Sequence, residues 1–373
     1  MNKIKQEYLN TWQSAYKKLN QKQREAVDTI DGPVMVIAGP GTGKTQLLAV
    51  RIGNILLNTD VFPHNILCLT YTEAGATAMR ERLTSFIGPD AYNVNFFTFH
   101  AFCNSVISEN PQYFGDFKAL QLVSDIELVE ILRTVFDNLA DEHPLKKLKG
   151  NEYNELNKLK QLFTIMKQEE WTSAYIHSKY EEYKEFVLDP ERSNCIWRVN
   201  RDGFKKGDIN PRLVNEALSK YTKLLGASEE LVSYKKIMTE RERFDFQDMI
   251  LWVIEKFQQH DELLAKYQER YQYILVDEYQ DTNGSQNNLL FLLSDFWEKP
   301  NLFIVGDDDQ SIFRFQGANM NSIMEFKDKY QPKEIVLTEN YRSSQVILDS
   351  ASKLIENNLD RLSHKYPDLD KNL

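Results

Sequence analysis

The segment AGPGTGKT, residues 38–45, combines the residue types that hold a phosphate chain. Its glycines allow a tight turn that aims backbone N–H groups at an anion, and a following helix adds the partial positive charge of its N-terminus. We expect Lys44 to pair with β- and γ-phosphate oxygens and the Thr45 hydroxyl to ligate Mg²⁺. The strict pattern begins with glycine, where this chain has Ala38. The other expected nucleotide contacts are Gly39, Pro40, Gly41, Thr42 and Gly43.

A pair of acidic residues follows the apolar run YILV, in the segment VDEYQDT. Side chains at the carboxyl end of a parallel strand lie where α/β proteins form their sites. We expect Asp277 to hold Mg²⁺ through water and Glu278 to orient and deprotonate the attacking water. Adjacent strand residues face opposite sides, so one acid can serve the metal and the other the water. The alternative is a polar turn after a strand.

Two further segments contain a side chain suited to the γ-phosphate. Gln310, in GDDDQSI, is neutral and can both donate and accept hydrogen bonds, which suits a sensor of the γ-phosphate better than a base. Arg342, in NYRS, can supply positive charge in the transition state, as an arginine finger does. The alternatives are an exposed acidic turn around Gln310 and a surface salt bridge for Arg342. The presence of both Glu278 and Gln310 favours an enzyme that hydrolyses the nucleotide over a protein that only binds it.

Buried strands are needed to position these segments. Short β-branched runs occur at 34–38, 66–70, 94–98, 273–276, 302–305 and 335–338. Such runs, apolar on both faces of the strand and alternating with helical stretches, predict an α/β fold with a parallel sheet and helices on both faces. Between about 107 and 239 the strand signal is replaced by apolar residues at helical spacing. Ser124 and Glu127 there have the form of a capping box, so a helical insertion is expected to interrupt the sheet.

The composition excludes several classes of protein. The chain has 373 residues, 42% of them hydrophobic and 27% charged, as in ordinary globular proteins. No apolar run reaches the roughly 18–20 residues that span a bilayer, and the N-terminus lacks the apolar core of a secretory signal. Three scattered cysteines, Cys68, Cys103 and Cys195, indicate a reducing cytoplasm and argue against a zinc module.

The net charge of −10 argues against a protein whose whole surface attracts nucleic acid. Two stretches have the opposite sign. Residues 145–167 contain six Lys and two Glu, and residues 191–243 contain twelve Lys and Arg against eight Asp and Glu, a net +4 each. Local charge governs contact with a strand within a Debye length of ~8–10 Å. These stretches are candidate DNA contacts, with a solvated helix face as the alternative.

Taken in order, these motifs resemble those of the UvrD/Rep/PcrA-like branch of superfamily 1 DNA helicases. The matching segments are 19–23 (LNQKQ), 38–45, 70–72 (TYT), 98–100 (TFH), 244–248 (FDFQD), 276–286 (VDEYQDTNGSQ), 306–318 (GDDDQSIFRFQGA) and 337–343 (LTENYRS). The resemblance covers nearly the whole chain, most weakly in the insertion. It implies a P-loop NTPase (RecA-like) fold that uses ATP and Mg²⁺.

The resemblance also implies the remaining site residues. Gln23 is expected to recognise adenine, Tyr341 to stack on it, and Gln310 to couple the nucleotide state to the grip on DNA. The implied single-stranded DNA track contains Tyr71, Thr72, Thr98, His100 and Phe315. Aromatic faces stack on any base and hydroxyls bond phosphates, so the chemistry agrees. Alternatively, Tyr71 and Phe315 are core aromatics and His100 is a structural histidine.

The chain departs from the family pattern at three places. After Thr72 the family usually has Asn-Lys-Ala-Ala, whereas residues 73–76 are EAGA, which removes a positive charge. A Trp-Arg pair is replaced by Phe315 and Gln316, and Gln46 stands where Arg is frequent. We expect each change to weaken contact with DNA or nucleotide without removing catalysis.

The family continues through most of a second motor lobe, whereas this chain stops at Leu373. The expected domains are 1–106 and 240–328 (first RecA-like lobe), 107–239 (helical insertion) and 329–373 (start of a truncated second lobe). The expected function is an ATP-dependent DNA helicase or translocase, 3′ to 5′ on single-stranded DNA, with reduced activity in the isolated chain. Expected partners are single-stranded DNA or single/double-strand junctions, with proteins of DNA repair or replication. The alternative is a nucleotide-switched DNA-binding regulatory module without processive unwinding.

Overall fold

The structure, a computed structural model, describes residues 6–117, 119–146, 152–200, 203–310 and 320–358. As far as they are described, the residues form two compact units. Met1–Tyr113 and Met249–Leu373 make up one, here called the α/β unit, and Phe114–Asp248 make up the other, the helical unit.

Eight strands and fifteen α-helices occur among the described residues. The strands are β1 (Val34–Ala38), β2 (Ile66–Thr70), β3 (Asn95–Thr98), β4 (Gln121–Leu122), β5 (Arg243–Phe244), β6 (Tyr273–Val276), β7 (Leu302–Gly306) and β8 (Lys333–Leu337). The helices are α1 (Gln6–Lys17), α2 (Gln21–Asp28), α3 (Lys44–Asn58), α4 (Glu73–Ile87), α5 (Phe99–Glu109), α6 (Asp125–Asp137), α7 (Glu152–Gln168), α8 (Ser173–Leu188), α9 (Pro211–Glu229), α10 (Leu231–Glu240), α11 (Phe246–Gln259), α12 (Asp261–Arg270), α13 (Gly284–Ser294), α14 (Met320–Tyr330) and α15 (Gln345–Ile355).

Six strands of the α/β unit form one parallel sheet in the order β3-β2-β6-β7-β1-β8. Every residue of β1, β2 and β6 is buried, as expected for strands covered by helices on both faces. The predicted α/β fold with a parallel sheet is therefore confirmed, and each strand boundary lies within two residues of its apolar run. No helix in the described part of the chain is long and apolar enough to cross a membrane.

A fully buried arginine joins two helices that contribute to the site. Arg51 of α3 donates hydrogen bonds to the carbonyl oxygens of Ala26, Thr29 and Ile30, at and just after the end of α2. Its guanidinium lies 4.2 Å from the ring centroid of Phe303, and burial lowers the pKa of Arg51 to about 9. A cation at a helix C-terminus is favourable because the last carbonyls carry partial negative charge. Arg51 therefore fixes α2 against α3.

The helical unit has its own apolar core. The buried cluster there includes Leu132, Leu159, Phe163 and Tyr234. Ser124 and Glu127 form the predicted capping box at the start of α6, since each side chain bonds the backbone N–H of the other. The short parallel pair of β4 and β5 was not anticipated, because two-residue strands leave no periodic pattern.

The observed units differ from the predicted domain boundaries at both junctions. The helical unit runs from Phe114 to Asp248 instead of 107–239, so α5 belongs with the sheet. The segment predicted to begin a second lobe at 329 contains β8, which pairs in parallel with β1, Val34 opposite Lys333. The run IVLT therefore joins the first sheet, because the backbone of β1 provides partners for its N–H and C=O groups.

Candidate active site

The loop between β1 and α3 has the conformation that phosphate binding requires. Gly41 and Gly43 adopt φ values of 72° and 86°, which favour glycine over any other residue. The Thr42 hydroxyl donates to the Gly39 carbonyl oxygen at 2.8 Å and closes the turn. Gly43 is the N-cap of α3 and provides no side-chain cap, so the first N–H groups of the helix are suited to an anion. Lys44 and Thr45 occupy the first two positions of that helix.

Gln23 is held against this loop. Asn20 and Gln23 form a capping box at the start of α2, and the Gln23 Nε2 donates to the Thr42 carbonyl oxygen at 2.9 Å. Both ends of the Gln23 amide are therefore bonded. The structure brings this predicted adenine contact to the phosphate loop. Its role toward adenine remains a prediction.

The two predicted acids lie beside Lys44. Lys44 Nζ is 2.8 Å from Glu278 Oε2. Glu278 has a φ of 49° and a ψ of 46°. This left-handed conformation costs a non-glycine residue roughly 1–2 kcal/mol. Asp277, the residue before it, donates its backbone N–H to the Leu69 carbonyl oxygen at 2.9 Å. The strained position of Glu278 is typical of residues that a site holds in place for function.

Asp277 is a buried carboxyl with an unused oxygen. Its Oδ1 makes no hydrogen bond within the described ranges, and neither does Oδ1 of Asp281. Burial, and then the charge of Glu278, raise the pKa of Asp277 to about 7, against the opposing effect of Lys44. The same two causes raise the pKa of Asp281 to about 6. A cation would neutralise this surplus of negative charge, so the residues present fit Mg²⁺, a hard ion that prefers oxygen ligands.

Gln310 is bonded within its own loop. Its Nε2 donates to Asp307 Oδ2 at 2.7 Å and its backbone N–H to the Asp307 carbonyl oxygen. Asp307, the residue after β7, is itself almost fully buried. The predicted DNA contact Phe315 and its neighbour Gln316 lie outside the described residues.

The NYRS segment lies directly on the phosphate loop. The Tyr341 backbone N–H donates to the Gly41 carbonyl oxygen at 2.9 Å, and the Asn340 side-chain amide donates to the Pro40 carbonyl oxygen. A Cβ on Gly41 would lie 2.7 Å from Asn340 Nδ2 and 2.8 Å from Arg342 Cβ, so only glycine allows this approach. The motifs in the sequence give no reason to expect a contact between Asn340 and Gly41.

The side chains of Tyr341 and Arg342 are exposed. The Tyr341 ring is 61% exposed, and its hydroxyl accepts a hydrogen bond from Asn20 at 3.0 Å and donates to Glu339 at 2.7 Å. Arg342 forms no ion pair with the residues that the structure describes. The surface-salt-bridge alternative for Arg342 therefore has no partner there, and the nucleotide-facing role remains a prediction.

The predicted DNA contacts cluster at the ends of β2 and β3. Thr70 and Thr98 are register partners in these adjacent strands. Thr72 caps α4 and Thr98 caps α5, each accepting a backbone N–H. Thr98 also donates to Glu73 Oε1 at 3.1 Å. Glu73, which departs from the family pattern, therefore lies between the two motifs. Tyr71 is 43% exposed, which argues against the core-aromatic alternative.

His100 lies in the first turn of α5 and is half-buried. It has an interaction partner in the structure, so both alternatives stay open for it.

Residues 19–331 match the model of the UvrD/REP helicase N-terminal domain. Among characterised proteins, the chain is 32% identical over 349 residues to the ATP-dependent DNA helicase PcrA of Leuconostoc citreum, covering 93% of this chain and 40% of that protein. The PcrA proteins of Staphylococcus aureus and Bacillus subtilis are 31% and 32% identical over 345 residues, which cover 92% of this chain and 40% of theirs. The chain thus spans about two fifths of the length of these relatives. With its phosphate loop, acid pair and NYRS segment assembled on one sheet, the chain belongs to the UvrD/REP helicase family.

Proposed function

We propose that the chain is the ATP-binding portion of an ATP-dependent DNA helicase or translocase that moves 3′ to 5′ on single-stranded DNA. This proposal is carried by the contact between Lys44 Nζ and Glu278 Oε2 at 2.8 Å, beside the Asp277 Oδ1, which has no hydrogen bond among the described residues. This contact brings together Lys44 as the phosphate-binding cation, Glu278 as the candidate base and Asp277 as the candidate metal ligand. Relatives named as ATP-dependent DNA helicases support the same function.

The residues divide the hydrolytic step among themselves. Lys44 exchanges the Glu278 carboxylate for β- and γ-phosphate oxygens when ATP binds. Glu278, released from that ion pair, accepts a proton from the attacking water as the water oxygen bonds to the γ-phosphorus and the bond to the ADP oxygen breaks. Thr45 and Asp277 would hold Mg²⁺, Asp277 through water, and the bound ion would supply positive charge against the phosphates.

Four more residues act on the nucleotide. Gln23 recognises adenine, and Tyr341, with its exposed ring, stacks on it. Arg342 supplies charge to the γ-phosphate, and Gln310 reports the state of the γ-phosphate to the DNA contacts. The proximity of the NYRS backbone to Gly41 supports the roles of Tyr341 and Arg342.

Single-stranded DNA is the proposed partner of the surface at the ends of β2 and β3. Tyr71 stacks on a base, and the hydroxyls of Thr72 and Thr98 contact the phosphates. His100 and Phe315 belong to the same proposed track. The exposure of Tyr71 supports this assignment. The exposed lysines and arginines of the basic stretches 145–167 and 191–243 attract the DNA backbone, whereas Lys167 is buried in an ion pair and takes no part. The α/β unit then acts as the first motor lobe and the helical unit as its insertion.

Three proteins test the site: unsubstituted, Lys44→Ala and Glu278→Gln. We expect Lys44→Ala to weaken ATP·Mg²⁺ binding at least ~10-fold, the loss of a charged hydrogen bond. Glu278→Gln should bind ATP·Mg²⁺ normally and lose ~10²–10⁴-fold in turnover, since the base is gone. Binding is measured with a fluorescent ATP analogue and turnover by phosphate release, with and without single-stranded DNA.

Lys179→Ala, which removes an exposed lysine paired with Glu182, is the control and should match the unsubstituted protein. Normal turnover by Glu278→Gln would refute the assignment of the base. ATP binding that changes DNA affinity, without any hydrolysis by the unsubstituted protein, would instead favour the regulatory module. Direction is tested on duplexes with a 3′ or a 5′ single-stranded tail.

A further inference from the structure

Gln280 lies two residues after Glu278 and uses both ends of its side-chain amide. It is 1% exposed, in the turn that follows β6. Its Nε2 donates to Glu278 Oε2 at 2.8 Å, and its Oε1 accepts the backbone N–H of Asp307 at 2.9 Å. A primary amide has a donor end and an acceptor end in fixed geometry. The position of the Glu278 carboxylate is therefore tied to the loop after β7.

The approach of this amide to β7 depends on a missing side chain. Gly306 is the last residue of β7, and a Cβ built on it would lie 2.7 Å from Gln280 Oε1 and 3.2 Å from the Gln280 backbone nitrogen. Real Cβ atoms essentially never show a contact as short as the first of these. Gly306 and Gln280 thus fit together as one close contact.

The same oxygen of Glu278 accepts from two donors. Lys44 Nζ and Gln280 Nε2 both lie 2.8 Å from Glu278 Oε2. Once Lys44 turns to phosphate, the Gln280 amide still holds a carboxylate that sits on strained backbone. At its other end the connection continues, because Asp307 Oδ2 accepts from Gln310 Nε2 at 2.7 Å.

We propose that Gln280 is a positioning residue that holds the Glu278 carboxylate for catalysis and links it, through Asp307, to Gln310. This role rests on the proposed function, in which Glu278 takes the proton from water. Gln280 touches neither nucleotide nor water in this role and acts only through Glu278. The carboxylate and the loop of Gln310 therefore shift together.

Gln280→Glu tests the link, because it keeps an acceptor for the Asp307 N–H and puts a repelling oxygen against Glu278. We expect kcat for ATP hydrolysis to fall ~10–100-fold, as for loss of a hydrogen bond to a charged group, with KM for ATP changed less than about 3-fold. The control is Gln268→Glu, since Gln268 is also buried but donates to the Leu292 carbonyl oxygen in α13. It should lower stability and leave kcat unchanged.

A double-substitution cycle separates positioning from general stability. In the Glu278→Gln background, Gln280→Glu should change single-turnover hydrolysis less than about 2-fold, because the group that it positions is already gone. Gly306→Ala, which keeps Gln280 but displaces its amide, should show the same fall in kcat and the same non-additivity. It provides the test if Gln280→Glu does not fold.

An unchanged kcat in Gln280→Glu or Gly306→Ala would overturn the role of Gln280 alone. So would an equal loss with and without the Glu278→Gln substitution. No hydrolysis by the unsubstituted protein would overturn both this role and the proposed function.

Discussion

The two units each hold a largely buried lysine near a pair of carboxylates, but with opposite outcomes. In the helical unit, Lys167 is 1% exposed and lies 2.8 Å from Asp245 Oδ2 and 2.7 Å from Asp248 Oδ1. Its ammonium is also 5.0 Å from the ring centroid of Tyr234. Asp245 and Asp248 accept each other's backbone N–H at the start of α11. Burial works against the charge, yet the two aspartates outweigh it and raise the pKa of Lys167.

In the α/β unit the corresponding charges remain partly uncompensated. Lys44 reaches Glu278, while Asp277 keeps a buried oxygen without a hydrogen bond among the described residues. The pKa of Asp277 is raised, and the backbone of the neighbouring Glu278 is strained. A compensated buried ion cluster holds a fold together, whereas an uncompensated one indicates a place kept ready for a ligand.

Breaking the compensated cluster should have the larger effect on stability. Lys167→Ala leaves the carboxylates of Asp248, which is largely buried, and Asp245, which is partly exposed, without their cation. We therefore expect the free energy of unfolding of the helical unit to fall by about 3 kcal/mol, the low end for breaking a buried ion pair. Urea unfolding followed by circular dichroism measures it. Lys179 and its partner Glu182 both have side chains more than half exposed, so Lys179→Ala should cost no more than ~1 kcal/mol. Equal losses for the two substitutions would show that the buried cluster has no special role.

Neutralising the uncompensated cluster should have the opposite sign. Asp277→Asn removes a buried charge, so we expect the nucleotide-free protein to gain ~1–3 kcal/mol while Mg²⁺-dependent turnover is lost. The folded pKa of about 7 exceeds the ordinary 3.8, so ionisation of Asp277 destabilises the fold progressively from about pH 4 to pH 7. The gain over the unsubstituted protein should therefore grow across that window and level off above it.

Thermal unfolding at pH 5 and pH 8 measures this difference. Asp141→Asn, at a fully exposed position, is the matched control and should show no such pH dependence. A destabilised Asp277→Asn protein at pH 8 would contradict the comparison.

The smallest effect is expected at a half-exposed but well-bonded carboxylate of the helical unit. The backbone N–H of Ser124, then its hydroxyl, and then Arg243 lower the pKa of Glu127 to about 2. Because the folded pKa lies below the ordinary value of 4.5, this stabilisation is present above about pH 4.5 and is lost as the pH falls toward about 2. Glu127→Gln should thus unfold earlier than the unsubstituted protein at pH 7, with a smaller difference at pH 3. Glu130→Gln on the same helix controls for the loss of a surface carboxylate, and a difference that grew at low pH would reverse the sign of the argument.

Much of the α/β unit could be predicted from local patterns. Apolar runs flanked by turn residues mark strands because burial on both faces leaves no polar positions, and all six strands of its sheet were found this way. The phosphate loop, Asp277 and Glu278 follow from residue type and spacing next to these strands. Ser124 and Glu127 were recognised for the same reason, since a capping box is complete within four residues.

The rest depends on contacts between distant parts of the chain. Nothing near Lys167 in sequence indicates Asp245 and Asp248, about eighty residues later. The pairing of β8 with β1 could not be predicted, because an edge strand looks the same in sequence whichever sheet it joins. Gln280 is one polar residue among several in its turn, and its partners, Glu278 and Asp307, become evident only when β6 and β7 lie side by side. Asn20 and Gln23 could have been found, since Asn-x-x-Gln has the form of a capping box.

The strand order has a consequence for biosynthesis. β1 is made long before its two neighbours in the sheet, β7 and β8. Pro40 and its partner Asn340 are 300 residues apart. A ribosome adding ~5–20 residues per second therefore takes roughly 15–60 s between them. During that interval both edges of an apolar strand lack their native partners and can pair with other chains. Until β7 and β8 emerge, β1 is therefore a site where the nascent chain is open to pairing with other chains.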